Sequence, residues 1–329
     1  MSMLARIVAV GRIVAVGMLA TVAVPPSPAD CAEVNFITDF GYNGRHSYYY
    51  LALDKGYYKA EGLEVNILRG QGSSDAIKKV ASGAASIGFA DAGALVLARS
   101  NDAIPVKLLS IIYAGPPHAI FAVADNRIKT AKDLEGKTIA DSAFSSIPVI
   151  FNAFAQVMGI DREKVKWISA ESSALPSLLA TGRVDAIGQF TVGEPLLAAT
   201  VAPRTLVRIA YKDAGLDYYG NGLVATERMI NENPAMLRAF VRATQKGMEY
   251  AFANPKEAGI ILNKYQKQIS PEVAEGETKL VAELANVPGH KLGVIDASRI
   301  QRTIDIATKA FPMKSSVLPA DMFVPGFVE

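Results

Sequence analysis

From residue 34 onward the chain alternates short apolar runs with stretches of helical periodicity, and midway the alternation starts again. Few folds accommodate that order. Segment 34–38 reads as a strand with a buried face. Tyr49, Ala52, Leu53, Gly56 and Tyr57 then fall at i, i+3, i+4, i+7 and i+8, one face of a helix that ends near Gly62. A strand over 63–68 follows. Ser73-Ser74-Asp75 offers a cap for a helix carrying Ile77, Val80, Ala81 and Ala84 on one side. A strand over 86–90, a helix over 94–99 and a strand over 106–112 complete the run. Strands and helices in this order predict a parallel sheet with helices on its faces.

The pattern restarts past Thr130, which caps a turn through Asp133 and Leu134. Strands are expected at 137–140, 165–169 and 184–189, and helices at 147–159 and 172–181, the latter with Pro176 early. An internal echo accompanies the restart. Ser73-Ser74 followed by Ala81-Ser82-Gly83 and Ile87-Gly88 has, apart from one inserted residue, the spacing of Ser172-Ser173 followed by Ala180-Thr181-Gly182 and Ile187-Gly188. Two lobes of similar build follow from this. Strands at 206–210 and 223–226 come next, the second returning the chain to the first lobe. The remainder is helical, over 234–252, 255–265 with Pro255 in its first turn, from Pro271 onward, and 297–310. These helices are expected to pack on the first lobe.

The amino-terminal residues set the compartment. Arg6 and Arg12 supply positive charge, 13–24 is an apolar run, and Ser27-Pro28-Ala29 is a small-x-small ending. That order is an export signal, expected to be cut after Ala29 and too short for a spanning helix. Arg-Ile-Val-Ala-Val-Gly occurs twice, at 6–11 and 12–17, which lengthens the leader. Cys31 is the only cysteine, so an internal disulfide framework and a cysteine-rich metal site are excluded. Asp30 just before it argues against lipid attachment. Roughly 300 residues remain, enough for two lobes of ordinary size. The formal charge of +2 includes the leader arginines. No basic stripe points to nucleic acid, and no later apolar run points to a membrane span.

Signals of catalysis fail one by one. His46, His118 and His290 are the three histidines, and none has metal-ligand spacing with another. Gly136-Lys137-Thr138 looks like the end of a phosphate loop, but Ala131 stands where that loop needs glycine. A G-x-S-x-G elbow is missing, and a Cys-His pair would have to use Cys31 at the mature terminus. These absences lower the enzyme reading without removing it, since paired carboxylates need not be local in sequence; no catalytic residue, cofactor or metal is assigned.

Leu53-Asp54-Lys55-Gly56-Tyr57-Tyr58-Lys59-Ala60-Glu61-Gly62-Leu63-Glu64-Val65 resembles a signature of substrate-binding proteins of ABC importers, in the branch that includes nitrate, sulfonate and thiamine-pyrimidine binders. Ala81-Ser82-Gly83 through Phe89-Ala90, and Lys132-Asp133-Leu134-Glu135-Gly136-Lys137-Thr138-Ile139, resemble two further segments of that family in the same order. The signature residues themselves read as scaffold, a helix end whose tyrosines pack. The resemblance implies an α/β, type II periplasmic-binding-protein fold: two α/β lobes with a central cleft, joined by two crossing segments and closing by a hinge. Residues 1–29 would be the leader, 30–117 plus 224–329 the first lobe, and 118–223 the second, with crossings near 113–123 and 218–226. It also implies a small-molecule ligand, an ABC permease at the inner membrane as partner, a periplasmic location and action as a monomer.

Open α/β sheets bind ligands beyond the carboxyl ends of their strands. The candidates are therefore Asp39, Phe40, Tyr42, Arg45 and His46 after the first strand, Ser73 after the second and Asp91 after the third. Tyr113 and His118 lie at the first crossing. In the second lobe they are Ser142, Phe144, Ser145, Glu171, Phe190 and Glu194, then Tyr218, Tyr219 and Asn221 at the second crossing. Rings such as Phe40 and Tyr42 could sandwich a flat ligand, with Glu194 and Asp91 accepting from its N–H groups. His46 resembles a histidine that thiamine-pyrimidine binders carry at the start of the first helix. Arg45 beside it departs from that pattern, and with the helix start at Ser73 it suits a small anion instead. Both ligand classes stay open, with the aromatic count favouring an aminopyrimidine-like heterocycle. A third reading, a pyrimidine-synthase-like enzyme of the same fold, would require a cysteine-rich iron motif and retention inside the cell.

Overall fold

A computed structural model describes residues 31–124 and 128–328. The expected leader, 1–29, lies outside the described residues. The strands are β1 (Ala32–Ile37), β2 (Leu63–Leu68), β3 (Ile87–Asp91), β4 (Val106–Ile111), β5 (His118–Val123), β6 (Thr138–Asp141), β7 (Lys166–Ser169), β8 (Ala186–Phe190), β9 (Leu206–Ala210) and β10 (Asn221–Thr226). They form two five-stranded sheets, in the orders β2-β1-β3-β10-β4 and β7-β6-β8-β5-β9. Helices surround each, giving the two α/β lobes.

The sheets are mixed, which corrects the parallel expectation. β1 pairs in parallel with β2 and β3, and β6 with β7 and β8. β10, however, runs antiparallel between β3 and β4, and β5 antiparallel between β8 and β9. Geometry explains both exceptions. Each of these strands reaches its sheet from the other lobe, so it enters at the cleft, where the carboxyl ends of its neighbours lie. Register shows this directly: the first residue of β10, Asn221, faces the last of β3, Asp91, and His118 at the start of β5 faces Phe190 at the end of β8. Segments 118–123 and 221–226 are therefore sheet strands, and the links between lobes lie earlier in the chain than expected, at 112–117 and 211–220.

Three local expectations also change. Gly56 takes the left-handed conformation (φ +71°) and splits the first helix into Ser47–Asp54 and Tyr57–Ala60. Gly72, not a serine, precedes the helix Ser73–Ala81, because Ser73 Oγ accepts instead from Asp91 N at 3.1 Å. The helix Pro271–Ala285 spans both lobes: a Cβ placed on Gly276 would lie 3.1 Å from the Pro195 ring of the second lobe.

The long helix Pro234–Ala253 fixes the first lobe. Its Phe240 stacks on Tyr58 at 5.1 Å and meets Phe36 at 5.2 Å, and Tyr58 Oη lies 3.0 Å from Thr244 Oγ1. The tyrosines of the signature are thus packing residues. Phe240 is fully buried, so Phe240→Ala is expected to lower the unfolding free energy by about 3–5 kcal/mol, read from the midpoint of a urea titration.

Candidate functional site

Asp39, just past the carboxyl end of β1, is buried among three donors, two from the turn Gly44–His46 and one from β10. Its Oδ1 accepts from His46 Nε2 at 2.8 Å, and its Oδ2 accepts from Asn221 Nδ2 of β10 at 2.9 Å and from Arg45 Nη2 at 3.5 Å. Burial opposes its ionisation, yet the Arg45 charge and the His46 hydrogen bond outweigh that and hold the carboxyl below its ordinary range. Burial also pushes the His46 pKa down despite Asp39. The imidazole is therefore neutral, with Nε2–H donating to Asp39 and Nδ1 accepting from Asn43 N at 3.4 Å.

Arg45 is 1% exposed and reaches across the cleft. Burial works against its charge, but Asp39, Tyr113 and Glu277 more than restore it. Its Nη1 donates to Gln189 Oε1 in β8 at 3.0 Å. The guanidinium carbon lies 5.7 Å from the Phe40 ring centre and 5.1 Å from that of Phe190. A planar nitrogenous cation thus sits between an aromatic ring of each lobe. Asp39, Phe40, Arg45, Ser73, Ser145, Ser146, Ile147, Gln189 and Phe190 enclose a residual cavity of about 10 Å³, room for one water.

Further contacts hold the lobes shut. Ser74 N donates to Phe144 O at 3.2 Å, and Ser142 Oγ donates to Gln71 O. Gly72 allows this approach: a Cβ there would lie 2.1 Å from Phe144 O. Behind the cavity, Tyr218 Oη lies 2.8 Å from His118 Nδ1, and His118 Nε2 lies 2.9 Å from Ser146 Oγ. Burial drives the His118 pKa down to about 3. Its 3.4 Å contact with Asp91 Oδ2 is accordingly not an ion pair.

Three more carboxyls surround the site. Burial raises Asp91 to about 7, Glu277 to about 7 and Asp141 to about 8. Each keeps one oxygen without a hydrogen-bond partner: Asp91 Oδ2, Glu277 Oε1 and Asp141 Oδ2. Asp91 Oδ1 caps the helix Ala92–Asp102 by accepting from Ala94 N at 2.8 Å. Glu277, from Pro271–Ala285, accepts from Arg45 N at 2.7 Å.

Beside the cavity, and sharing Phe40 and Gln189 as walls, opens a chamber of about 440 Å³ lined also by Gly41, Tyr42, Arg69, Ser172, Pro176, Gln268 and Ile269. The other candidates take distinct places. His46 and Asn221 stand behind Asp39, while Asp91, Tyr113, His118 and Tyr218 form the layer at the lobe links. Tyr113 meets Phe190 edge-on at 6.2 Å. Tyr219 Oη accepts from Asp296 N at 3.0 Å, away from the cavity. Phe144 contributes its carbonyl, and its ring is 38% exposed. Glu171 lines a separate recess with Gln71 and Ser142. Glu194 opens the helix Glu194–Val201 and pairs with Arg208 at 2.5 Å instead of lining the cavity. Reading the sequence did not single out Gln189, Glu277 or Arg69. The carboxyl-end rule could have found Gln189; nothing local marks Glu277, which arrives from a distant helix.

The family model described as NMT1/THI5 like matches residues 43–258. The chain belongs to the NMT1/THI5-like family. The segments at 53–65, 81–90 and 132–139 all lie inside that match. A formylaminopyrimidine-binding protein of Halalkalibacterium halodurans is 26% identical over 298 residues, 88% of this chain and 89% of that protein. A riboflavin-binding protein RibY of Chloroflexus aurantiacus is 28% identical over 235 residues, 70% of this chain and 65% of that protein. Among solved structures, the alkanesulfonate-binding protein SsuA from Xanthomonas axonopodis pv. citri, bound to MOPS, superposes with a TM-score of 0.70 at 15% identity, covering 89% of this chain and 98% of that one. That likeness is one of fold. Among the described residues, no helix is long and apolar enough to cross a membrane.

The raised carboxyls set a pH dependence. Unfolded, Asp91 and Asp141 ionise near 3.8 and Glu277 near 4.5; folded, they keep their protons to about 7 or 8. In that window the unfolded chain binds fewer protons, so the stability these groups contribute is full below about pH 4 and is lost as pH rises through 7 to 8. Asp141→Asn is expected to make the fall in melting temperature between pH 5 and pH 8 shallower than in the wild type, measured by calorimetry.

Proposed function

We propose that this chain is the exported substrate-binding protein of an ABC importer. It captures a small, flat nitrogen heterocycle, such as a thiamine-precursor pyrimidine, between its lobes and passes it unaltered to a permease at the inner membrane. One observation carries the reading: the Arg45 guanidinium, a planar N–C–N group, lies between Phe40 and Phe190 with Asp39 and Gln189 accepting its protons. An aminopyrimidine offers the same flat face and the same amino-bearing edge. The site in this state holds its own side chain as a surrogate, and opening of the hinge with rotation of Arg45 admits the ligand. The names of the pyrimidine- and flavin-binding relatives support a flat heterocycle.

A small anion is the second reading, favoured by Arg45 Nε, which is buried without a partner. Charge balance weighs against it. Arg45 already faces ionised Asp39, and Asp91 and Glu277 add partial negative charge near pH 7. An anion there would meet more carboxylate than cation. A synthase-like activity is the third reading, and it predicts formation of a pyrimidine, as product, from a different precursor.

A thermal-shift panel of aminopyrimidines, alkanesulfonates, nitrate and aromatic acids discriminates among these. Stabilisation by aminopyrimidines, recovered unchanged after incubation, is the expected outcome; stabilisation by anions alone, or turnover, overturns it. Phe190→Ala should weaken pyrimidine binding about 10- to 100-fold through lost stacking. Arg45→Ala should abolish binding of any sulfonate while sparing the pyrimidine.

A further inference from the structure

We infer that the ligand carries, besides its flat nitrogenous head, an anionic arm that lies in the outer chamber against Arg69 and Ser172. This rests on the heterocycle reading above and extends it. Volume is the first argument. The inner cavity has room for only one water, whereas the outer chamber of about 440 Å³ is within the size range of small-molecule sites. The two share Phe40 and Gln189, so a head between the aromatic rings opens directly onto the chamber.

Charge is the second argument, because the two spaces are opposite in sign. Carboxyls crowd the inner site. Of the residues lining the chamber, Arg69 is the only charged one and none is acidic. Among the described residues, no hydrogen bond or ion pair holds Arg69, whereas both terminal nitrogens of the buried arginine at the inner site are bonded, to Asp39 and Gln189. Arg69 is exposed at the edge of the chamber, and its unpaired guanidinium has the geometry to receive a carboxylate or phosphate there.

An orphaned hydroxyl is the third. Ser172 is 9% exposed, lines the same chamber, and its Oγ has no partner. A buried hydroxyl left unpaired costs stability unless a ligand satisfies it. Arg69 and Ser172 belong to opposite lobes yet converge. A Cβ built on Gly41, which holds φ +62°, would lie 3.6 Å from Ser172 Oγ and 3.9 Å from Arg69 Nε. An anionic group at that point would bridge the lobes and favour closure. Tyr42 supplies an apolar wall alongside.

A matched pair of probes tests this: 4-amino-5-hydroxymethyl-2-methylpyrimidine and its monophosphate, titrated calorimetrically into the wild-type protein, Arg69→Ala and Ser172→Ala. The wild type is expected to bind the phosphate at least tenfold more tightly, and Arg69→Ala to cost the phosphate at least tenfold more than it costs the parent alcohol. Ser172→Ala should reduce the phosphate's advantage in part. Phenyl phosphate, which lacks the nitrogenous head, separates the two readings. Arg69-dependent binding of phenyl phosphate with no binding of either pyrimidine would sustain the anionic arm and overturn the heterocycle head. Equal affinity of the two pyrimidines in the wild type, or equal losses for both in Arg69→Ala, would overturn the arm. Binding of no probe overturns both.

Discussion

One buried negative charge organises the molecule. Asp39 is removed from water, and an isolated carboxylate there would be prohibitively costly. Three donors make it tenable, and they come from two distant parts of the chain: Arg45 and His46 from the turn after the first strand, and Asn221 from the strand that returns from the second lobe. The arrangement does more than neutralise a charge. Arg45, positioned by Asp39 and by the Glu277 contact to its backbone, extends to Gln189 on the facing sheet. Asn221 marks the point where the chain passes between lobes. The same carboxylate therefore ties together hinge, cleft and lobe contact.

Closure rests on a small number of such contacts. The Arg45–Gln189 and Ser142–Gln71 hydrogen bonds and the Gly72 approach to Phe144 span the gap, and each is local enough to break singly. Contacts behind the cleft are of another kind. His118, Tyr211 and Tyr218 form a neutral, stacked aromatic layer, with His118 and Tyr211 nearly parallel at 5.9 Å. A polar front that can part and a buried aromatic back are compatible with a hinge.

Much of the architecture was legible because its elements are amphipathic and punctuated. The strands 63–68 and 206–210 and the helices 255–265 and 297–310 have the bounds expected from periodicity and from Pro255. β5 was hidden because all six of its residues are buried, which removes the alternation that marks a half-buried strand. The direction of β5 and β10 was hidden because residue pattern encodes which face is buried and not which way the strand runs. In the site, the carboxyl-end rule located Asp39, Phe40, Ser73 and Ser145 at the cavity. It also pointed to Glu194, which the first turn of its helix directs toward Arg208. Glu277 was out of reach, since only tertiary packing carries it to the backbone of residues 44 and 45.

The antiparallel strand of the first sheet has a consequence for how the protein is assembled. β4 hydrogen-bonds within that sheet only to β10. The amino-terminal half therefore cannot complete its sheet until residues 221–226 exist, whereas the second sheet is built from one continuous stretch, 118–210. Synthesis order and completion order are inverted: the later-made body can finish first, and the earlier one waits with an unsatisfied strand edge. Long-range pairing of this sort slows folding and keeps the chain open for longer.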